Sequence, residues 1–146
     1  MLNIYNYHNQ PQTLYAFYDK TKLIPKLAYE YARDFIGKRW PEGEPAIMKD
    51  PEFALLYTKH ILNGKRWKKA EPFIMKEPEY AYEYAKEILK GKRWPEAEPF
   101  IMKDPSYAFL YAKHIIEDRW KEAEPFIYKN DITWIAYKRY FYNFRE

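Results

Sequence analysis

The chain has 146 residues, enough for one domain of ordinary size and too few for two. It contains no cysteine, which excludes disulfides, thiolate catalysis and Cys-ligated zinc. A net charge of +4 and a pI near 9.0 permit an anionic partner but fall short of the basic clustering of a committed duplex-DNA binder.

In chain order, Met1 to Gln10 has no basic start followed by an apolar stretch, so no signal peptide is expected. No apolar run approaches the roughly 18 to 20 residues of a membrane span, so no membrane contact is expected and the protein reads as soluble and cytoplasmic. Residues 1–23 fall outside the pattern that follows. Leu14, Tyr15, Phe17 and Tyr18 suggest a partial helix there, serving as an N-terminal cap.

From residue 24 to 130 the chain repeats itself. Trp40, Trp67, Trp94 and Trp120 recur at spacings of 27, 27 and 26 residues. Self-similarity at such a period indicates stacked supersecondary units rather than one globular core. The long part of each unit predicts a helix, with copies starting at Pro25, Pro51, Pro78 and Pro105. Asp50, Glu77 and Asp104 precede three of these prolines, and an acid before a proline marks a helix start, because the acid can cap and the proline loses no bond. Apolar residues fall at the third, fourth, seventh, eighth and eleventh places: Tyr107, Ala108, Tyr111, Ala112 and Ile115 in one copy. Those places share one helical face. Gly37, Gly64 or Gly91 then supplies a left-handed stop. The short part, Trp94 to Lys103 in the third copy, predicts a short helix with a distorted first turn, because Pro99 falls about one turn in. Phe100, Ile101 and Met102 would point inward. Residues 131–146 predict a C-terminal capping helix, with Trp134, Tyr137, Tyr140, Phe141 and Phe144 covering the last layer. The fold expected is all-α: a small α-solenoid of about four 26–27-residue helix-turn-helix repeats with irregular end caps.

The run Arg93 to Pro105, followed by Tyr107-Ala108 and Tyr111-Ala112-Lys113, resembles a short helical repeat common in proteins of tailed bacteriophages. The resemblance covers about residues 25–140. It implies a viral protein of helical-repeat type acting in the host cytoplasm. Small phage proteins of this kind are often antagonists of host machinery or defence, an association rather than a mechanism.

No enzymatic constellation is visible, and no catalytic residue, metal or cofactor is expected. Ser106 is the only serine, and acidic pairs such as Glu96 and Glu98 recur in three of the four turns, as Glu42 with Glu44 and Glu122 with Glu124, where they read as helix-start acids. The Lys-Arg-Trp turns admit two readings. Trp could stack on a base while Lys and Arg meet phosphate. Alternatively Trp plugs adjacent layers and Arg39, Arg66, Arg93 and Arg119 pair with Glu44, Glu71, Glu98 and Glu124, each five residues on. The structural reading is favoured for Trp and Arg. It leaves Lys38, Lys65 and Lys92 as candidate contacts for a nucleotide signal or single-stranded nucleic acid. The Tyr row (Tyr31, Tyr57, Tyr84, Tyr111, Tyr137) reads as core between layers. Positions that differ between copies attract a functional reading, since the fold tolerates change there. Leu55, Tyr82 and Phe109 form an apolar strip that, if exposed, marks a protein contact or self-association, and otherwise is covered by the short helices. A second row holds Asp34, His60, Glu87 and His114, with the two histidines too far apart for one ion and read as isolated surface residues. The function expected is non-catalytic binding of a host protein or of the chain itself, with an anionic ligand as the alternative.

Overall fold

The computed structural model describes residues 24–142. The cap expected from Leu14, Tyr15, Phe17 and Tyr18, and the covering role of Phe144, lie outside these residues. The described chain is an all-α, solenoid-like stack of long and short helices in alternation. The long helices are α1 (Pro25–Tyr31), α3 (Pro51–His60), α5 (Pro78–Glu83), α7 (Pro105–Tyr111) and α9 (Asp131–Phe141). The short ones are α2 (Glu44–Ile47), α4 (Glu71–Ile74), α6 (Glu98–Ile101) and α8 (Glu124–Ile127). Each long helix packs against the next.

The helix starts follow the sequence with one exception. Asp50 accepts from the Glu52 and Phe53 N–H groups at 3.0 and 3.3 Å, and Asp104 from those of Ser106 and Tyr107 at 2.9 and 3.1 Å. Glu77 makes no such cap, because its extra methylene carries the carboxylate past the free N–H groups. In the last unit Asn130 caps Thr133 at 2.9 Å.

Three long helices widen at their ends into π segments, Ala32–Ile36, Tyr84–Ile88 and Ala112–Ile116. The turns beyond come in two lengths. Gly37 alone, or Glu117 alone, takes positive φ in the first and last units. Asn63 with Gly64, and Lys90 with Gly91, do so in the middle two, which accounts for their extra residue. Glu117 holds φ 59° with a Cβ, a conformation that favours glycine.

The short helices resolve the proline problem seen in the sequence. Trp94 O accepts from both Ala97 N and Glu98 N, at 3.0 and 3.1 Å, so residues 95–97 form a tight turn before α6 begins. Pro99 therefore lies in the first turn of α6, where its missing N–H costs nothing. Ile101 is buried, whereas Phe100 and Met102 are only half-buried.

Two small rows let the short segments approach closely. Ala28, Ala54, Ala81 and Ala108 are fully buried, as are Ala32, Thr58, Ala85 and Ala112. The Thr58 hydroxyl donates to the Ala54 carbonyl at 2.8 Å. Every turn tryptophan is buried against the seventh-place tyrosine of the helix before it. Ring centroids lie 5.1 Å apart for Tyr31 and Trp40, 5.0 Å for Tyr57 and Trp67, 5.0 Å for Tyr84 and Trp94, and 5.2 Å for Tyr111 and Trp120. Burying rings of this size supplies most of the apolar free energy available to so thin a core. In α9 the alanine row ends in Trp134, which stacks on Tyr137 at 5.7 Å and 14° and takes the place of a turn tryptophan. Phe109 meets Tyr137, Tyr140 and Phe141 of α9 at 5.8, 6.1 and 6.3 Å.

Candidate functional site

The Lys-Arg-Trp turns resolve into a polar seam repeated in each unit. Arg39 forks onto Glu44 at 2.7 and 3.2 Å, Arg66 onto Glu71 at 2.5 and 2.9 Å, Arg93 onto Glu98 at 2.8 and 2.8 Å, and Arg119 onto Glu124 at 2.9 and 3.1 Å. A tyrosine of the following long helix completes each one. Tyr57, Tyr84, Tyr111 and Tyr137 donate to the same carboxylates at 3.3, 3.1, 3.1 and 3.1 Å. Their oxygens in turn accept the backbone N–H of Trp40, Trp67, Trp94 and Trp120 at 2.7, 2.9, 2.6 and 2.8 Å. Each tryptophan thus rests its ring on one tyrosine row member and hangs its backbone from the next.

Electrostatics fit a structural role. Burial pushes the Tyr57 phenol up to about 12, and raises Tyr84, Tyr111 and Tyr137 by the same cause. Burial alone would raise the Glu124 carboxyl too, but the bonds from Arg119 and Tyr137 outweigh it and leave the group below its ordinary value. The Arg–Glu–Tyr bonds close within the stack, so the four arginines and four tryptophans serve the fold, while the buried Trp67 indole N–H has no hydrogen-bond partner. All four rings are buried, in line with the favoured reading of Trp as a plug between layers and against the alternative of an open stacking platform.

The variable rows are corrected. Leu55 and Tyr82 are buried, at 2 % and 6 % exposure, and Phe109 is half-buried under α9. Tyr82 and Phe109 lie against the next long helix. Tyr29, which shares their fifth place, packs on Phe53 at 5.9 Å and shares a hydrogen bond with His60 at 2.8 Å. Tyr82 packs on Tyr107 at 6.1 Å and bonds His114 at 2.8 Å. The histidines are therefore not isolated surface residues, although both keep an exposed edge. Burial and the flanking Lys113 and Lys86 hold His114 below the usual histidine range. Between these pairs the code changes: Leu55 stands where the tyrosines do, and Glu87 stands where the histidines do. Glu87 instead takes Lys59 of the preceding helix at 2.8 Å. Where the fifth place is Tyr29 or Tyr82 the tenth place of the next helix is His, and where it is Leu55 that place is Glu87, so the two places vary together.

Lys38, Lys65 and Lys92 are exposed, as expected, one at each of three successive turns. Among the described residues, no three histidine or acidic side chains gather to hold a metal, and no helix is long and apolar enough to cross a membrane.

The largest exposed apolar side chains lie on the last unit, at one of the two irregular ends where the sequence suggests function without naming a residue. Ile132 is 82 % exposed, Tyr128 65 % and Ile135 57 %. A signal for Ile132 was present: its place in the other copies is held by Lys26, Glu52, Glu79 and Ser106, all exposed. An isoleucine entering a polar row only once is not explained by the stack. Compared with family models, curated proteins and solved structures, the chain finds no match in any of the three.

Proposed function

We propose that the chain is a non-catalytic binding protein whose repeats form a rigid support for a protein contact made at the end of the stack. The observation that carries this reading is the exposed apolar side chains of the last unit, Ile132 with Ile135 and Tyr128, on a molecule whose repeated Arg, Glu and Tyr groups pair with one another. Exposed apolar patches of this kind mark contacts with other proteins. The partner is a host protein or another copy of the chain; the resemblance to tailed-phage repeats is the reason for considering a host. A photo-crosslinking amino acid placed at position 132 in bacteria expressing the protein is expected to capture a protein partner. Yield no higher than from the equivalent exposed position 106 would sink the reading.

A second reading is supported by the three exposed lysines: binding of a nucleotide signal or single-stranded nucleic acid along the turns. It does not use the tryptophans, which would have to leave the core to stack on a base. The expected result is salt-dependent binding of oligonucleotides or cyclic nucleotides that is lost when Lys38, Lys65 and Lys92 are together changed to Glu. Unchanged affinity in that variant rejects it.

A further inference from the structure

We infer that the two ends of the stack bind each other, so that copies of this chain assemble head to tail through a repeat of the interface that joins its own units. This rests on the protein-binding reading above and names the partner as a second copy.

The interior interfaces follow one rule. The fifth-place side chain of a long helix, with the basic ninth-place residue beside it, meets the third, tenth and eleventh places of the next helix. Tyr29 meets Phe53 and His60, Tyr82 meets Tyr107 and His114, and Phe109 meets Tyr140 and Phe141. The second interface uses a different pairing: aliphatic Leu55 accompanied by Lys59, which binds the carboxylate of Glu87.

Both ends carry the halves of one more such interface. On α9 the fifth place is Ile135 and the ninth is Arg139; both are exposed, and no described helix lies beyond them. On α1 the tenth place is Asp34 and the eleventh is Phe35, again both exposed, with Phe35 at 45 %. In the last unit the eleventh place, Phe141, lies against Phe109 of the preceding helix, whereas Phe35 stacks on Tyr31 of its own helix at 5.4 Å. Aliphatic plus base on one end and acid on the other is the pairing already made by Leu55, Lys59 and Glu87. It is not the pairing of the tyrosine-histidine interfaces. Asp34 is held by its neighbour Arg33 in a fork at 2.6 and 2.8 Å, with both side chains about half exposed, so its carboxylate lies at the surface where Arg139 of a second copy can join it. Because the two surfaces differ, the contact is heterologous, and it propagates to rings or filaments rather than stopping at a two-fold dimer.

The test is complementation between broken ends. The full chain is expected to sediment as a concentration-dependent series of dimers and longer species. Ile135→Glu breaks one end and Phe35→Glu the other, so each variant alone is expected to self-associate at least about tenfold more weakly. Mixed in equal amounts, they are expected to form a one-to-one complex and nothing longer, because one intact pair of ends remains. The charge pair supplies a second route that spares Phe35: Asp34→Lys and Arg139→Glu should each weaken assembly, and the double variant should restore it. A full chain that stays monomeric at hundreds of micromolar overturns the proposal, as does undiminished dimerisation by Phe35→Glu, which would mean two-fold pairing through α9 alone. A host protein captured at position 132, with no complementation between the ends, rejects self-assembly and leaves the binding reading standing.

Discussion

At the level of single residues, the repeated seam shows how a conserved spacing within one chain can serve packing rather than chemistry. The pairing of Arg with Glu five residues on was legible, because both recur in every unit at fixed distance. The tyrosine that completes the seam was not, since the bond from Trp67 N–H to the Tyr84 oxygen crosses 17 residues and depends on how two helices are laid together. Tyr84→Phe removes that acceptor and one donor to Glu71 while keeping the ring. It is expected to cost about 1–3 kcal/mol in urea unfolding, because a buried N–H is left without a partner. The same phenols set an alkaline limit. Their folded pKa lies above the ordinary 10.0, so the neutral form is favoured by folding. Their stabilising contribution is complete below about pH 10 and is lost as pH rises toward and through the folded value, about 12 for Tyr57. Helical circular dichroism should therefore fall as pH rises above 10; helices still intact well above pH 12 would refute this.

At the level of the helix, starts, stops and the buried face were readable from proline, glycine and the apolar spacing. Two things were not. The sequence does not state which side of a helix its neighbour will occupy, so the strip through Leu55, Tyr82 and Phe109 was open to two readings, an exposed contact surface or a face under the short helices, whereas Tyr82 and Phe109 meet the next long helix. Nor does periodicity alone show that variation is compensated, because the matching residue lies about one repeat away. The compensation can be tested by transplanting it. Leu55→Tyr alone overfills the second interface, and Glu87→His alone discards the ion pair with Lys59. Together they install the Tyr29–His60 pairing at a new place. The double variant is expected to be more stable than the two single costs predict, with a coupling of about 0.5–3 kcal/mol in a double-mutant cycle. Strict additivity would show that the two places do not read each other.

At the level of the whole molecule, the matched pairs make the stack alternate with a longer period than its helices suggest. Tyr29 meets His60, Tyr82 meets His114, and the two pairs are separated by two repeats. Removing residues 51–104, which is 54 residues, joins the first unit to the fourth and brings Tyr29 against His114. Removing only residues 51–77 sets Tyr29 against Glu87 instead. The shorter protein is expected to fold cooperatively, and in it Tyr29→Phe and His114→Ala should couple, although in the full chain the same two changes should simply add. Independence in the shortened chain would mean that the stack does not re-form across the junction. The tryptophan seam adds an optical consequence. Each turn tryptophan lies 5.0–5.2 Å, centroid to centroid, from a tyrosine of its own unit, and Trp134 lies 5.7 Å from Tyr137. Tyrosine excitation should pass to the indoles almost completely, so tyrosine emission reappears only where a seam has parted. A chain keeping one tryptophan at a time would then report, by fluorescence, the order in which its layers come undone.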